Sequence, residues 1–148
     1  KGNQGYRRSP ESAQMYNIAA SLTAIERSEL AAYYARQKRR EVRPAPNKPN
    51  NNGKQIYYNG PGGETAYACA SCHGPKGEGI PEMAAPALAG QHTRYLVHQL
   101  QAYNAGQRED PTGSMQMISK ALSDNDMKSV SLFLETIATG EISGHESE

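Results

Sequence analysis

Cys69-Ala70-Ser71-Cys72-His73 uses both cysteines of the 148-residue chain and sets a histidine directly after the second one. Two thiols at this spacing lie about one helical turn apart, and the imidazole that follows is carried beneath whatever the thiols hold. That arrangement suits covalent attachment of a c-type haem. Each sulfur adds to one of two vinyl groups on the same side of the porphyrin, and the imidazole reaches the iron as an axial ligand. Three other uses of the run are weighed beside it. A redox-active Cys-x-x-Cys expects a βαβ setting, and none is visible. A structural zinc site wants four ligands, and beyond the run only His92, His98 and His145 remain, without a paired spacing. A plain disulfide has no need of the following histidine.

Composition supports the need for a cofactor. Hydrophobic residues are 36% of the chain, with no Trp and one Phe against nine Tyr, where a self-sufficient domain has roughly 45–50%. A core made of these residues alone is thin, and a covalently held macrocycle would fill it. The net charge of +1 excludes a nucleic-acid footprint based on bulk charge. No apolar run is long enough to span a membrane. No charged start followed by an apolar stretch is present either, so any export signal is expected to have been removed or to lie outside this sequence. Charge is uneven: residues 1–43 carry nine Lys/Arg against four Asp/Glu, and residues 44–148 carry seven against eleven. The asymmetry marks two regions, although a basic solvated helix end would account for the first.

Pro and Asn are densest from Arg43 to Gly53, a stretch that reads as an extended linker unable to sustain a helix. Before it, the spacing predicts a helix from Thr23 to about Arg40, opened by a Thr23/Glu26 capping box and apolar on the side of Ile25, Leu30, Tyr33 and Tyr34. After it, Ile56-Tyr57-Tyr58 forms a short apolar segment before a Gly/Pro turn. Helices are expected from about Thr93 to Ala105, with Tyr95, Leu96, Leu100 and Tyr103 on one face, and from the Ser123/Asp126 capping box onward. No strand alternation appears, so the chain reads as all-α. The tail from Gly140 reads as frayed.

A shift of 100 residues brings Met15 onto Met115, Ile18 onto Ile118, Leu22 onto Leu122 and Thr23 onto Ser123. It also brings Glu26 onto Asp126, Leu30 onto Val130, Tyr33 onto Phe133 and Arg8 onto Arg108. Any two amphipathic helices share part of this pattern, but the joint register with an upstream Arg points to a duplicated unit.

Cys69-Ala-Ser-Cys72-His73-Gly74-Pro-Lys-Gly77-Glu-Gly79 resembles the haem-binding stretch of class I cytochromes c. Pro86-Ala-Leu88-Ala-Gly90-Gln91, followed by Tyr95-Leu96, Gln99-Leu100, Tyr103, Gly106 and Arg108, is similar to the cytochrome c4 family, whose members are dihaem proteins of two tandem domains. The resemblance implies a class I cytochrome c fold of short helices around covalently bound haem, preceded by the C-terminal helical part of a second similar domain. The implied boundaries are residues 1–43 for that closing part, 44–53 for a linker, 54–140 for a complete domain and 141–148 for a flexible tail. Counting back 100 residues from Cys69 puts the first domain's attachment motif about 30 residues before Lys1, so that domain is expected to be truncated here.

A sixth ligand for the iron is sought among Met83, Met115, Met117, Met127, His92 and His98. Met127 lies within the last helix, where Met is more often core packing, and Met83 follows His73 too closely to reach the opposite face. Met115 and Met117 are read as lying in a Pro/Gly loop that is free to cross that face. The family pattern selects Met115, with Ile118 and Leu122 in its accompanying apolar places. The same pattern points to Met15 as ligand of a second haem; alternatively, Met15 is an ordinary apolar residue of a helical extension. The resemblance further implies that the Pro86 carbonyl receives the N–H of the His73 ring, and that Arg108 lies near the haem carboxylates, although a rigid turn and a surface Arg would serve as well. Tyr57, Tyr58 and Tyr67 are expected around the macrocycle.

The function implied is electron transfer on a His/Met-ligated haem c, with no substrate turned over. Its partners would be redox proteins of a respiratory or photosynthetic chain: donor and acceptor cytochromes, an oxidase or a reaction centre. The alternatives are a dihaem oxidoreductase enzyme with a displaceable ligand, and a haem subunit docked in a larger membrane complex. Haem attachment of this kind points to a bacterial periplasm.

Overall fold

A computed structural model of the chain describes residues 13–37, 50–62 and 67–137. The expected linker between 44 and 49, the tail 141–148, Arg8 and His145 lie outside the described residues. The chain divides into two units, Lys1–Arg40 and Glu41–Glu148. Among the described residues all regular structure is helical, apart from one isolated bridge between Ile80 and Ala85.

In the first unit, helix α1 (Ala13–Ser21) leads into α2 (Ala24–Ala35). The Thr23 side chain accepts from the Glu26 N–H at 3.2 Å, and Glu26 accepts from the Thr23 N–H at 2.7 Å, which is the expected capping box. Arg27 Nη1 donates to the Leu22 carbonyl at 2.5 Å and closes the turn between the helices. No residue of α2 is buried.

In the second unit, helix α3 spans Asn51–Asn59, which overturns the extended-linker reading for residues 51–53. The reason is local: Asn50 accepts the Gly53 N–H at 3.0 Å through its side chain and donates to the Ser129 carbonyl at 3.2 Å. One amide therefore starts the helix and ties it to α7 (Asp124–Thr136). At the crossing, a Cβ on Gly53 would stand 2.1 Å from the Ser129 carbonyl oxygen, so a glycine is what lets the two helices approach so closely. Helix α4 is the five-residue Cys69–His73, and α5 runs Thr93–Asn104.

Met115 and Met117 lie in a further helix, α6 (Ser114–Ala121), and not in a loop. Pro111 and Gly113 precede that helix instead of interrupting it. The Ser123/Asp126 box opens α7 as expected. Ile56 and Tyr57 of α3, Leu96 of α5, Ile118 of α6, Leu122, and Met127, Val130 and Leu134 of α7 form the core. The rings of Tyr57, Tyr58 and Phe133 pack edge-on or tilted around the α3–α7 contact, with centroids 5.2–6.0 Å apart.

Candidate haem site

Helix α4 is short because Gly74 ends it at φ +81°, its N–H returning to the Ala70 carbonyl at 3.0 Å. Cys69 and Cys72 do not form a disulfide. Burial pushes the Cys69 thiol up to about 11, with the nearby Cys72 adding to the effect. A redox-active Cys-x-x-Cys is favoured by the opposite shift. Among the described residues no three His, Cys, Asp or Glu side chains are grouped to hold a bare metal ion.

His73 is buried, and its Nδ1 lies 2.7 Å from the Pro86 carbonyl oxygen. A carbonyl only accepts, so Nδ1 carries the proton and Nε2 is left with a free lone pair. Burial holds the ring's pKa below the ordinary histidine value, while the Pro86 carbonyl acts against that. A neutral imidazole with one nitrogen fixed by a carbonyl is the form that ligates a metal. Gly79 (φ +84°) makes the arrangement possible. A Cβ there would stand 2.6 Å from Ala87 N and 2.8 Å from Ala85 O, so segment 85–87 can lie against it and bring Pro86 to the ring. From the other side, the Tyr57 hydroxyl donates to the Gly74 carbonyl at 2.5 Å and the Tyr58 hydroxyl to that of Pro75 at 2.9 Å. Two tyrosines of α3 thus hold the turn that follows the histidine. Tyr67, expected beside them, is exposed.

The other candidates separate by position. Met127 is fully buried in the core, as its helical place suggested, and Met83 is exposed on a 3-10 turn (Pro81–Met83). His92 and His98 are exposed, His92 with Nδ1 3.6 Å from Glu135 Oε1. Met117 is 42% exposed, whereas Met115, in the first turn of α6, is half-buried. Met15 is 63% exposed on α1. Arg108 donates from Nη1 to Gln99 Oε1 at 2.6 Å and lies 4.6 Å from the centre of the Tyr103 ring, yet its Nε is buried without a hydrogen-bond partner. A buried, unsatisfied guanidinium nitrogen is costly and fits an anionic group such as a haem carboxylate.

Sequence reading missed Asp110. Its carboxylate accepts from the Met115 N–H at 3.0 Å, and from the N–H and hydroxyl of Thr112 at 3.1 and 2.5 Å. Burial works against its ionisation, but these hydrogen bonds together outweigh it and hold the carboxyl below its ordinary range. The signal was present in Asp110-Pro111-Thr112-Gly113, a turn composition in which Asp accepts from backbone N–H groups just ahead of it.

The sequence profile described as Cytochrome c matches residues 50–138. The chain belongs to the cytochrome c family. It is 32% identical over 124 residues to cytochrome c4 of Pseudomonas aeruginosa, covering 82% of this chain and 61% of that one. It is 38% identical over 86 residues to the thiosulfate dehydrogenase electron acceptor of Stutzerimonas stutzeri, covering 58% and 39% respectively. Reduced recombinant cytochrome c4 from Pseudomonas stutzeri shares the fold with a TM-score of 0.75 at 26% identity, over 88% of this chain and 68% of that one. The chain thus spans about three-fifths of the length of the curated cytochromes c4 it matches. The class I all-α fold expected from the sequence is the one observed, and this cytochrome c domain carries one covalently bound haem c.

Proposed function

We propose that this chain is an electron-transfer protein in which Cys69 and Cys72 hold the haem through thioether bonds and His73 and Met115 are its axial ligands. The observation that carries the reading is the buried His73 ring, fixed through Nδ1 to Pro86 and leaving Nε2 for iron. When bound, the haem supplies the one-electron ferric/ferrous couple. The protein's own groups do the rest. Pro86 fixes the tautomer of His73 and increases its basicity, and Tyr57 and Tyr58 keep the turn beneath it in place. Met115, half-buried next to a fixed turn, offers a thioether that favours the ferrous state and raises the potential. Arg108 Nε is available to a haem carboxylate. With His73 and Met115 both holding the iron, the haem would offer no open place to a substrate, which favours a carrier over an enzyme.

Partners are other redox proteins in a periplasmic respiratory or photosynthetic chain, met as a diffusible carrier or as a subunit docked in a membrane complex. The electron-acceptor relative supports a role in receiving electrons from an oxidoreductase. The alternative, the electron-entry domain of a dihaem enzyme, would require a displaceable axial ligand. By the same reading, α1 and α2 close a second, similar haem domain with Met15 as its distal ligand. The support is the 100-residue register and the matching capping boxes of Thr23 and Ser123. Carbon monoxide added to the ferrous protein and cyanide added to the ferric protein separate carrier from enzyme. A carrier leaves the spectra unchanged and takes up one electron per haem; rapid binding of either ligand would make this a substrate-accessible haem.

A further inference from the structure

Gly113, the residue before helix α6, has no side chain to accept the helix's first N–H groups. Asp110 replaces the missing cap from upstream. It accepts from three donors: the N–H of Met115 and the N–H and hydroxyl of Thr112. The Gln116 side-chain oxygen accepts the Asp110 N–H at 3.3 Å. Two residues earlier, Arg108 is fastened to α5 by its N–H, which donates to the Ala102 carbonyl at 3.0 Å, and by its side chain, which donates to Gln99. The loop between α5 and α6 is therefore fixed at one end to each helix.

We propose that Asp110 is a positioning residue for the haem: by accepting the backbone N–H of Met115, it fixes the first turn of α6 and sets how readily the Met115 thioether leaves the iron. This rests on the reading of Met115 as the distal ligand. A thioether is a neutral, weak ligand, so an external ligand displaces it at a cost that includes moving the turn that carries it. A carboxylate bound to the positive end of a helix resists that movement.

The test is binding of added imidazole to the full haem-loaded ferric protein. Asp110→Ala should tighten imidazole binding about tenfold, the size expected from losing a hydrogen bond to a charged group. Asp110→Asn keeps one acceptor oxygen and should give a smaller rise; it also serves if the alanine variant does not fold. Asp126→Ala removes the corresponding carboxylate of α7 and lowers thermal stability, but should leave imidazole affinity within about twofold, as for independent sites. Unchanged affinity in both Asp110 variants, or an equal change in Asp126→Ala, would overturn the proposal. Met115→Ala tells the two failures apart. If it keeps the Met–Fe charge-transfer band, the ligand reading fails and this proposal with it. If it loses the band while the Asp110 variants bind imidazole as the native protein does, only this proposal fails.

Discussion

Thr23 and Ser123 begin helices in the same way, each accepting the N–H of an acid three residues ahead that reaches back to its own N–H. The helices before them, α1 and α6, carry Met15 and Met115 at matching places. Burial then separates the pairs. Ile118 is 5% exposed and Ile18 54%; Val130 is 2% exposed and Leu30 43%. Caps and apolar spacing are thus enough to specify a helix pair, while a core requires partners for its apolar side. In the second unit α3 and α5 supply that partner.

The largest expected difference comes from one substitution made at both matching places. Ile118→Ala should destabilise the haem-loaded protein by about 2–5 kcal/mol, the range for a buried Ile. Ile18→Ala should stay within about 0.5 kcal/mol in this chain, as for a surface change. Denaturant unfolding followed at the haem and by helix signal measures both. Equal losses would mean that the apolar side of α1 is covered after all.

The helices that could be read from sequence are those whose determinants are local. The capping boxes, the spacing of Leu96 and Tyr103 on α5 and the Cys-x-x-Cys-His run each fit within a dozen residues. Helix α3 was hidden because what starts it is remote: Asn50 is held by Ser129, across the fold. Helix α6 was hidden because Pro111 and Gly113 look like loop, and the carboxylate that caps it comes from outside the usual cap position. At the site, the residue types were legible and most of the bonds that fix them were not. The Pro86 carbonyl was foreseen through resemblance, whereas the tyrosine bonds to Gly74 and Pro75 depend on packing of α3 that no motif encodes.

A smaller effect sharpens the comparison at the caps. Backbone and side-chain hydrogen bonds from Thr23 hold the Glu26 carboxyl below its ordinary pKa, and chiefly the Ser123 hydroxyl does so for Asp126. An acid with a lowered folded pKa contributes stability above its unfolded value, about pH 4, and loses it as pH falls through the folded value. Acidification from pH 6 to pH 3 should therefore lower the melting temperature, and Asp126→Asn should remove a few degrees at most of that fall. Glu26→Gln should alter only the acid-dependent helix signal of α2. Thermal melts by circular dichroism across that range check both, and an unchanged pH slope in Asp126→Asn would remove the cap from the account.

The identity of the distal ligand is tested most directly by the Met–Fe charge-transfer band of the ferric protein, recorded for Met115→Ala and Met117→Ala side by side. With Met115 as the ligand, the band and the high potential are lost in the Met115 variant and retained in the Met117 variant. Retention in Met115→Ala with loss in Met117→Ala would contradict that assignment.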